Sequence, residues 1–252
     1  MVVENLREIR AELELPKLPG RARLMDASKA LAEAGPGLVD DRTAAALGRI
    51  DVAYRTLCSI LYNYVPLSGH PGGSISSGTF VEALLYTGMD YDIGDPLSDV
   101  ADQIVYAAGH KAMGLYAMWA LRDEMVRLAK PDLLPSDERR RLRLEDLLGF
   151  RRNPTQATPL FRAMHAKALD GHPTPATPFV PVATGASGVG VAAAFGVALG
   201  AMDVFPNDPP RVHVIEGEGG MTPGRVAESM AMAASAQLSN VVLHVDWNQS
   251  SI

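Results

Sequence analysis

A mostly parallel α/β sheet flanked by helices is the fold class this sequence predicts, on three observations. "RVHVIEG" and "NVVLHVDW" read as strands, separated by a helix from about Pro223 to Gln237, and strands alternating with helices imply a parallel sheet. "DQIVYAA" reads as a further short buried strand, which Gly109-His110 turns into the helix "KAMGLYAMWALRDEMVRLA". Two of these strands end in Gly-containing turns, at the edge where a parallel sheet binds its ligands.

Taken in order, residues 1–45 are expected to form an N-terminal helical extension. It consists of the charged amphipathic "MVVENLREIRAELEL", the breaker "LPKLPG", another short helix and the linker "AGPGLVDD". Residues 46–252 form the main domain. From Thr43, "TAAALGRIDVAYRTLCSILYNYV" predicts a long core-facing helix that runs into Pro66. The Gly-rich loop "SGHPGGS" and the helix "ISSGTFVEALLYTGM" follow. Residues 130–182 are irregular. Within them "PSDERRRLRLEDLLGF" predicts a solvated surface helix, because its acids and bases alternate. The Pro-rich "GHPTPATPFVPVATG" is a loop of the length that is usually functional or disordered. The Gly/Ala-rich helix "SGVGVAAAFGVALGAM" is expected to pack closely on another helix or a subunit.

Composition narrows the function classes. With 252 residues, 47% of them hydrophobic, the chain can bury a substantial core. A net charge of −6 gives no electrostatic reason to expect nucleic acid or an anionic membrane as partner. A bound anion must therefore be held locally, by backbone N–H groups, a metal or a few basic side chains. The single cysteine, Cys58, excludes an internal disulfide, suits a reducing cytoplasm and reads as a small core residue. No signal peptide is visible, and the apolar run from Val189 to Met202 is shorter than the roughly 20 residues a membrane helix needs. The expected location is cytoplasmic.

The stretch "VIEGEGGMTPGRVAESMAMAASAQLSNVVLHVDWNQSSI" carries the chemistry. Glu218 follows one strand and Asn248 ends the next, 30 positions later. If the strands are neighbours, the two side chains converge. Thr222 reads as an N-cap and Pro223 as the first helical residue, so the helix N-terminus favours an anion in the same crevice. Gly217, Gly219 and Gly220 let the backbone approach a ligand closely. One carboxylate and one amide oxygen are hard donors that suit Mg²⁺ or Ca²⁺ completed by water and phosphate oxygens. Taken singly, Gly-Glu-Gly is a tight turn and Asn248 a turn residue; their joint spacing in this architecture reads as a metal–diphosphate site.

These residues resemble the thiamin-diphosphate signature, GDG followed by Asn, and more specifically that of the transketolase superfamily. "SGHPGGS", "AAGHKAMGLY" and "DGHPTPATPFVPVATGASGVG" resemble three further motifs of that family, so the resemblance runs in order across residues 68–252. It implies a thiamin-diphosphate-binding fold, with Glu218, Asn248 and the carbonyl of Ser250 holding the cation, Mg²⁺ or Ca²⁺. It implies His70, His110 and His172 along the diphosphate and substrate channel as catalytic groups. It places His110, Gly217, Gly219 and Asn248, with Gly185, Ala186 and Ser187 at the pyrimidine, against the cofactor. Imidazoles suit such positions, since they donate to phosphate or hydroxyl oxygens and exchange protons near neutral pH. His213 and His244, within strands, read as structural. Glu228 matches a family glutamate near a subunit interface, and reads equally as an exposed helix acid.

The implied activity is transfer of a two-carbon ketol unit between sugar phosphates. Pyruvate-using relatives (deoxyxylulose-phosphate synthase, or a pyruvate dehydrogenase component) and a noncatalytic subunit are the alternatives. The family's pyrimidine domain is not in the sequence, and the diphosphate domain is expected to be incomplete at its C-terminus. The expected partner is therefore a pyrimidine-domain polypeptide or the rest of the same chain, in a homodimer or heterotetramer. Glu218 stands where the family has Asp, which predicts a retained cofactor with altered metal preference. Gly220 is expected to give the longer side chain room to fold back.

Overall fold

The structure, a computed structural model, describes residues 40–64, 71–151 and 158–248. The expected extension over 1–45 lies almost wholly outside them. Helix α1 (Asp41–Tyr64) is capped by Asp40, whose carboxylate accepts from the Thr43 N–H and Oγ1, each at 2.9 Å. Helix α2 (Gly72–Ala83) continues as a π-helical turn over Leu84–Gly88. Strand β1 (Gln103–Tyr106) passes through a 3₁₀ turn, Gly109–Lys111, into α3 (Ala112–Ala129). Then come α4 (Pro159–Ala163), α5 (Val189–Val204), β2 (Val212–Gly217), α6 (Gly224–Ser235) and β3 (Val241–Asp246).

Among the described residues the sheet has the order β1-β2-β3, with both pairings parallel. Val212 stands opposite Gln103 on one side and Val241 on the other, and Gly217 opposite Asp246. The period of two along each strand divides the core into two layers. Ile104, Tyr106 and Ile215 join the cluster built with α1, α2 and α3, whereas Val105, Val212 and Val214 join the one built with α5 and α6. Burial on both faces is why β1 and β2 read as near-continuous apolar runs. The chain from Ala45 onward makes one compact unit. None of the described helices is long and apolar enough to cross a membrane.

Two local expectations are corrected and a third is extended. The charged stretch near residue 140 is not a solvated helix but a pair of 3₁₀ turns, Glu138–Arg140 and Leu144–Gly149. Two of its charges are packed inward: Arg141 makes a two-pronged contact with Asp123 (3.0 and 2.9 Å), and buried Asp146 accepts from the N–H groups of Arg143 and Lys167 at 2.9 Å each. Leu142 and Leu147 are consequently buried. Helix α6 starts one residue later than expected. Pro223 is its extended N-cap (φ −63°, ψ 137°), because Thr222 closes the preceding 3₁₀ turn by donating Oγ1 to the Gly219 carbonyl at 2.8 Å. The close approach made by α5 is to a strand end as well as to α6: a Cβ on Gly190 would lie 2.5 Å from the Cβ of Ala107.

Cys58 is fully buried, and burial pushes its thiol up to about 12, as a core residue requires. His213 and His244 pair within the sheet, Nδ1 to Nε2 at 3.1 Å, and His244 stacks on Phe80 at 5.9 Å. Burial first, and then His213, hold the His244 pKa below the usual histidine range. The unfolded chain therefore takes up this proton at a higher pH than the folded one. The resulting stability is present above the unfolded pKa of about 6.5 and is lost as pH falls through the folded pKa. Thermal melts between pH 7.5 and 5 are expected to show this loss, and H244Q to flatten it; an unchanged slope in H244Q would assign the acid sensitivity elsewhere.

Candidate functional site

The carboxyl ends of β1, β2 and β3 share one edge, and the loops leaving them gather polar groups there. Beyond β2 the chain turns at once into a 3₁₀ segment, Glu218–Met221. Beyond β3 it continues through Trp247 to Asn248. Because Gly217 and Asp246 are paired in register, the residues after them emerge side by side. The Glu218 carboxylate accepts from the backbone N–H of Asn248 at 3.4 Å. The acid thus reaches the backbone of Asn248, and both residues are half-buried.

Asn248 is also tied through its side chain: Nδ2 donates to Ser76 Oγ at 3.0 Å and to Asp246 Oδ2 at 3.3 Å. Ser76 Oγ donates to the same Asp246 oxygen at 2.6 Å, and Lys111 Nζ at 2.5 Å. Lys111 is almost wholly buried, 2% exposed, so its charge is compensated by Asp246 rather than by water. Lys111, Asp246 and Ser76 were not anticipated from sequence. Their signals were weak: a lysine beside His110, an acid two positions before Asn248, and a serine near the start of the helix that follows the Gly-rich loop.

A second group forms where the turn after β1 meets the loop ahead of α5. The His172 ring packs on Gly109 so closely that a Cβ there would come within 2.0 Å of His172 Cδ2. A Cβ on Gly185 would lie 3.7 Å from the same imidazole. His110 and His172 are both exposed, as are Gly185, Ala186 and Ser187, which lead into α5 at Gly188. Gly188 has φ +73°, a left-handed conformation that glycine adopts without strain. Thr184 Oγ1 anchors this loop to the Tyr106 carbonyl at 2.9 Å. The structure thus brings His172 to Gly185 and to Gly109, the residue before His110; His70 and Ser250 lie outside the described residues.

The expectation for Gly220 is corrected. The space beside it is taken by Glu216 rather than by Glu218: a Cβ on Gly220 would sit 2.1 Å from the Glu216 carboxyl carbon. Glu216 is buried, accepts from the Gly217 N–H at 2.8 Å, and is shifted upward in pKa chiefly by burial. Glu218 reaches Asn248 instead.

The donor set can be tested against a cation and a diphosphate. Among the described residues no three His, Cys, Asp or Glu side chains gather as a metal site. Glu218 and the Asn248 amide are two hard oxygen donors, which fits a cation whose remaining sites are filled by water and phosphate. The set fits a shared cation and not a cage made of protein alone.

Fold and site together define a parallel α/β domain with a ligand edge of Gly-rich turns, an acid and an amide. Residues 142–252 match the family described as transketolase, thiamine diphosphate binding domain. The transketolases of Pongo abelii and Homo sapiens are each 32% identical over 182 residues, covering 72% of this chain and 24% of theirs. Among solved structures, transketolase from Leishmania mexicana aligns with a TM-score of 0.62 at 25% identity, over 81% of this chain and 28% of that one. Transketolase from Campylobacter jejuni aligns with a TM-score of 0.62 at 26% identity, over 81% and 28%. The chain is a relative of the transketolases and carries their thiamine diphosphate binding domain over residues 142–252. It spans about a quarter of the length of the curated relatives it matches.

Proposed function

We propose that this chain supplies the diphosphate-binding half of a thiamin-diphosphate-dependent, divalent-metal-dependent enzyme that moves a two-carbon ketol unit between sugar phosphates. The observation that carries the reading is the meeting of Glu218 and Asn248 across the carboxyl ends of adjacent parallel strands. Glu218 and the Asn248 amide hold the cation, with the Ser250 carbonyl as the expected third protein donor. When bound, the cofactor supplies the electron sink that the protein's own side chains lack.

The residues of this chain bind and orient. The turn Gly217–Gly219 lets the backbone pass close to the diphosphate, and Gly185, Ala186 and Ser187 face the pyrimidine. His110 and His172, exposed on neighbouring loops, donate to phosphate or substrate hydroxyl oxygens and exchange protons near neutral pH, with His70 the third such group. Domains follow the same reading: 1–45 as an extension, 46–252 as the diphosphate domain. A pyrimidine-domain polypeptide, or the remainder of a longer chain, completes the site in a dimeric or heterotetrameric assembly.

Calorimetry with thiamin diphosphate in Mg²⁺, Ca²⁺ or EDTA tests the binding step. Saturable binding with either metal and loss in EDTA are expected. Identical behaviour in all three conditions defeats the metal–diphosphate reading. With the site completed, ketol transfer from a ketose phosphate to an aldose phosphate should exceed pyruvate decarboxylation. The reverse order would favour the pyruvate-using relatives, and cofactor binding without turnover of either substrate a noncatalytic subunit.

A further inference from the structure

Lys111 lies in the short turn between β1 and α3, yet its ammonium ends at the far strand, β3. The stem runs past the first turn of α2, where a Cβ on Gly73 would be 3.0 Å from Lys111 Cγ. The ammonium lies beside the β2 turn, where a Cβ on Gly217 would be 3.5 Å from Nζ. It joins Asp246, itself only 10% exposed, at 2.5 Å. Taking two charges out of water costs several kcal/mol per ion, so such a pair is weak support for stability by itself and calls for a geometric reason.

The partners of Asp246 give that reason. A single oxygen, Oδ2, accepts from Lys111 Nζ, Ser76 Oγ and Asn248 Nδ2. A side-chain amide has a donor end and an acceptor end. A carboxylate that faces the donor end decides which way the amide points. Reversing the amide would set its carbonyl oxygen against a carboxylate and its N–H groups against a positive ion. We propose that Lys111 is a positioning residue for the cation site: by holding and neutralising Asp246, it fixes the Asn248 amide with its NH₂ on Asp246 and Ser76, so that the carbonyl end serves the cation.

The inference rests on the metal–diphosphate reading and assigns a role to a buried cation that the reading did not use. Lys111 acts through Asp246 and Asn248 rather than on phosphate. Outer groups of this kind are worth about 10–100-fold in metal affinity.

The test is calorimetric titration of thiamin diphosphate at fixed Mg²⁺, and of Mg²⁺ at fixed thiamin diphosphate, into the full chain in its complete assembly. Circular dichroism and melting temperature are followed alongside. K111M leaves Asp246 buried and uncompensated, and affinity for both ligands is expected to fall about 10–100-fold. K111M/D246N restores neutrality and keeps an acceptor for Asn248 Nδ2, so its affinity should return to within about fivefold of the unaltered protein. A double variant as weak as K111M would mean that Lys111 touches the ligand itself, and overturns the proposal. So does K111M that binds normally. S76A removes an exposed hydroxyl from the same hub without altering any charge, which keeps the idea testable if K111M does not fold; about threefold to tenfold weaker Mg²⁺ binding is expected, and no change counts against the proposal. Failure of the unaltered assembly to bind at all removes the underlying site reading, and this proposal with it.

Discussion

Replacing Glu218 with alanine is expected to weaken metal-dependent binding of thiamin diphosphate by about 100-fold or more, equivalent to about 2.7 kcal/mol. The carboxylate is a proposed ligand of the cation, and it also accepts from the Asn248 backbone N–H. Alanine removes both the proposed ligand and the contact between the two turns. E218Q keeps the length and removes the charge, and should fall between the two, about tenfold to 100-fold weaker, since charge-assisted contacts are roughly twice as strong as neutral ones. E218D shortens the arm by about 1.5 Å, one C–C bond. It should change the ratio of Mg²⁺ to Ca²⁺ affinity, because Mg²⁺ accepts little error in distance and Ca²⁺ accepts more. Calorimetry with each metal measures all three variants. Affinity for E218A within threefold of the unaltered protein would take Glu218 out of the site.

A large effect on folding is expected from Gly190→Ala. The new methyl would meet Ala107 at 2.5 Å from its Cβ and 2.6 Å from its Cα. Neither atom can swing aside, since Ala107 follows β1 and carries no flexible side chain. Helix α5 would have to lift from the sheet, disturbing the layer formed by Val191, Ala194 and Val214. Overpacking of this kind costs about 1–3 kcal/mol, occasionally more. It exceeds the roughly 1 kcal/mol that alanine gains over glycine in a helix interior. Gly196, in the same helix, has open space where its Cβ would go, so G196A should stabilise by about 0.5–1 kcal/mol. Opposite signs for the two substitutions in chemical denaturation are the expected result. Equal effects would mean that α5 does not rest on β1 through Gly190.

Much of the scaffold was legible along the chain. β1, β2 and β3 are short runs of β-branched residues bounded by turns, and α3 and α5 are long helix-forming stretches, so local pattern located them. The pairing of Glu218 with Asn248 was legible too, because a parallel strand–helix–strand unit returns the chain to the same edge. The segment around Arg141 was not legible as a packed element. Alternating charge looks solvent-facing until Asp123 and Lys167, far apart in sequence, are seen to be its partners. Glu216 was passed over for a similar reason: nothing local says that Gly220 leaves a recess for its carboxyl group.

By itself the sequence determined the α/β class, the order of the elements and the turn residues that leave the strand ends, since these follow from periodicity and backbone preference within a few residues. Only the tertiary structure decided which groups share the edge: Lys111 running beneath α2 to Asp246, Ser76 closing on Asn248, and His172 resting on Gly109. Each of these joins residues distant along the chain, and such contacts depend on how the layers pack rather than on any local preference. That is why the acid and the amide could be placed from their spacing, while the buried cation that orders them could not.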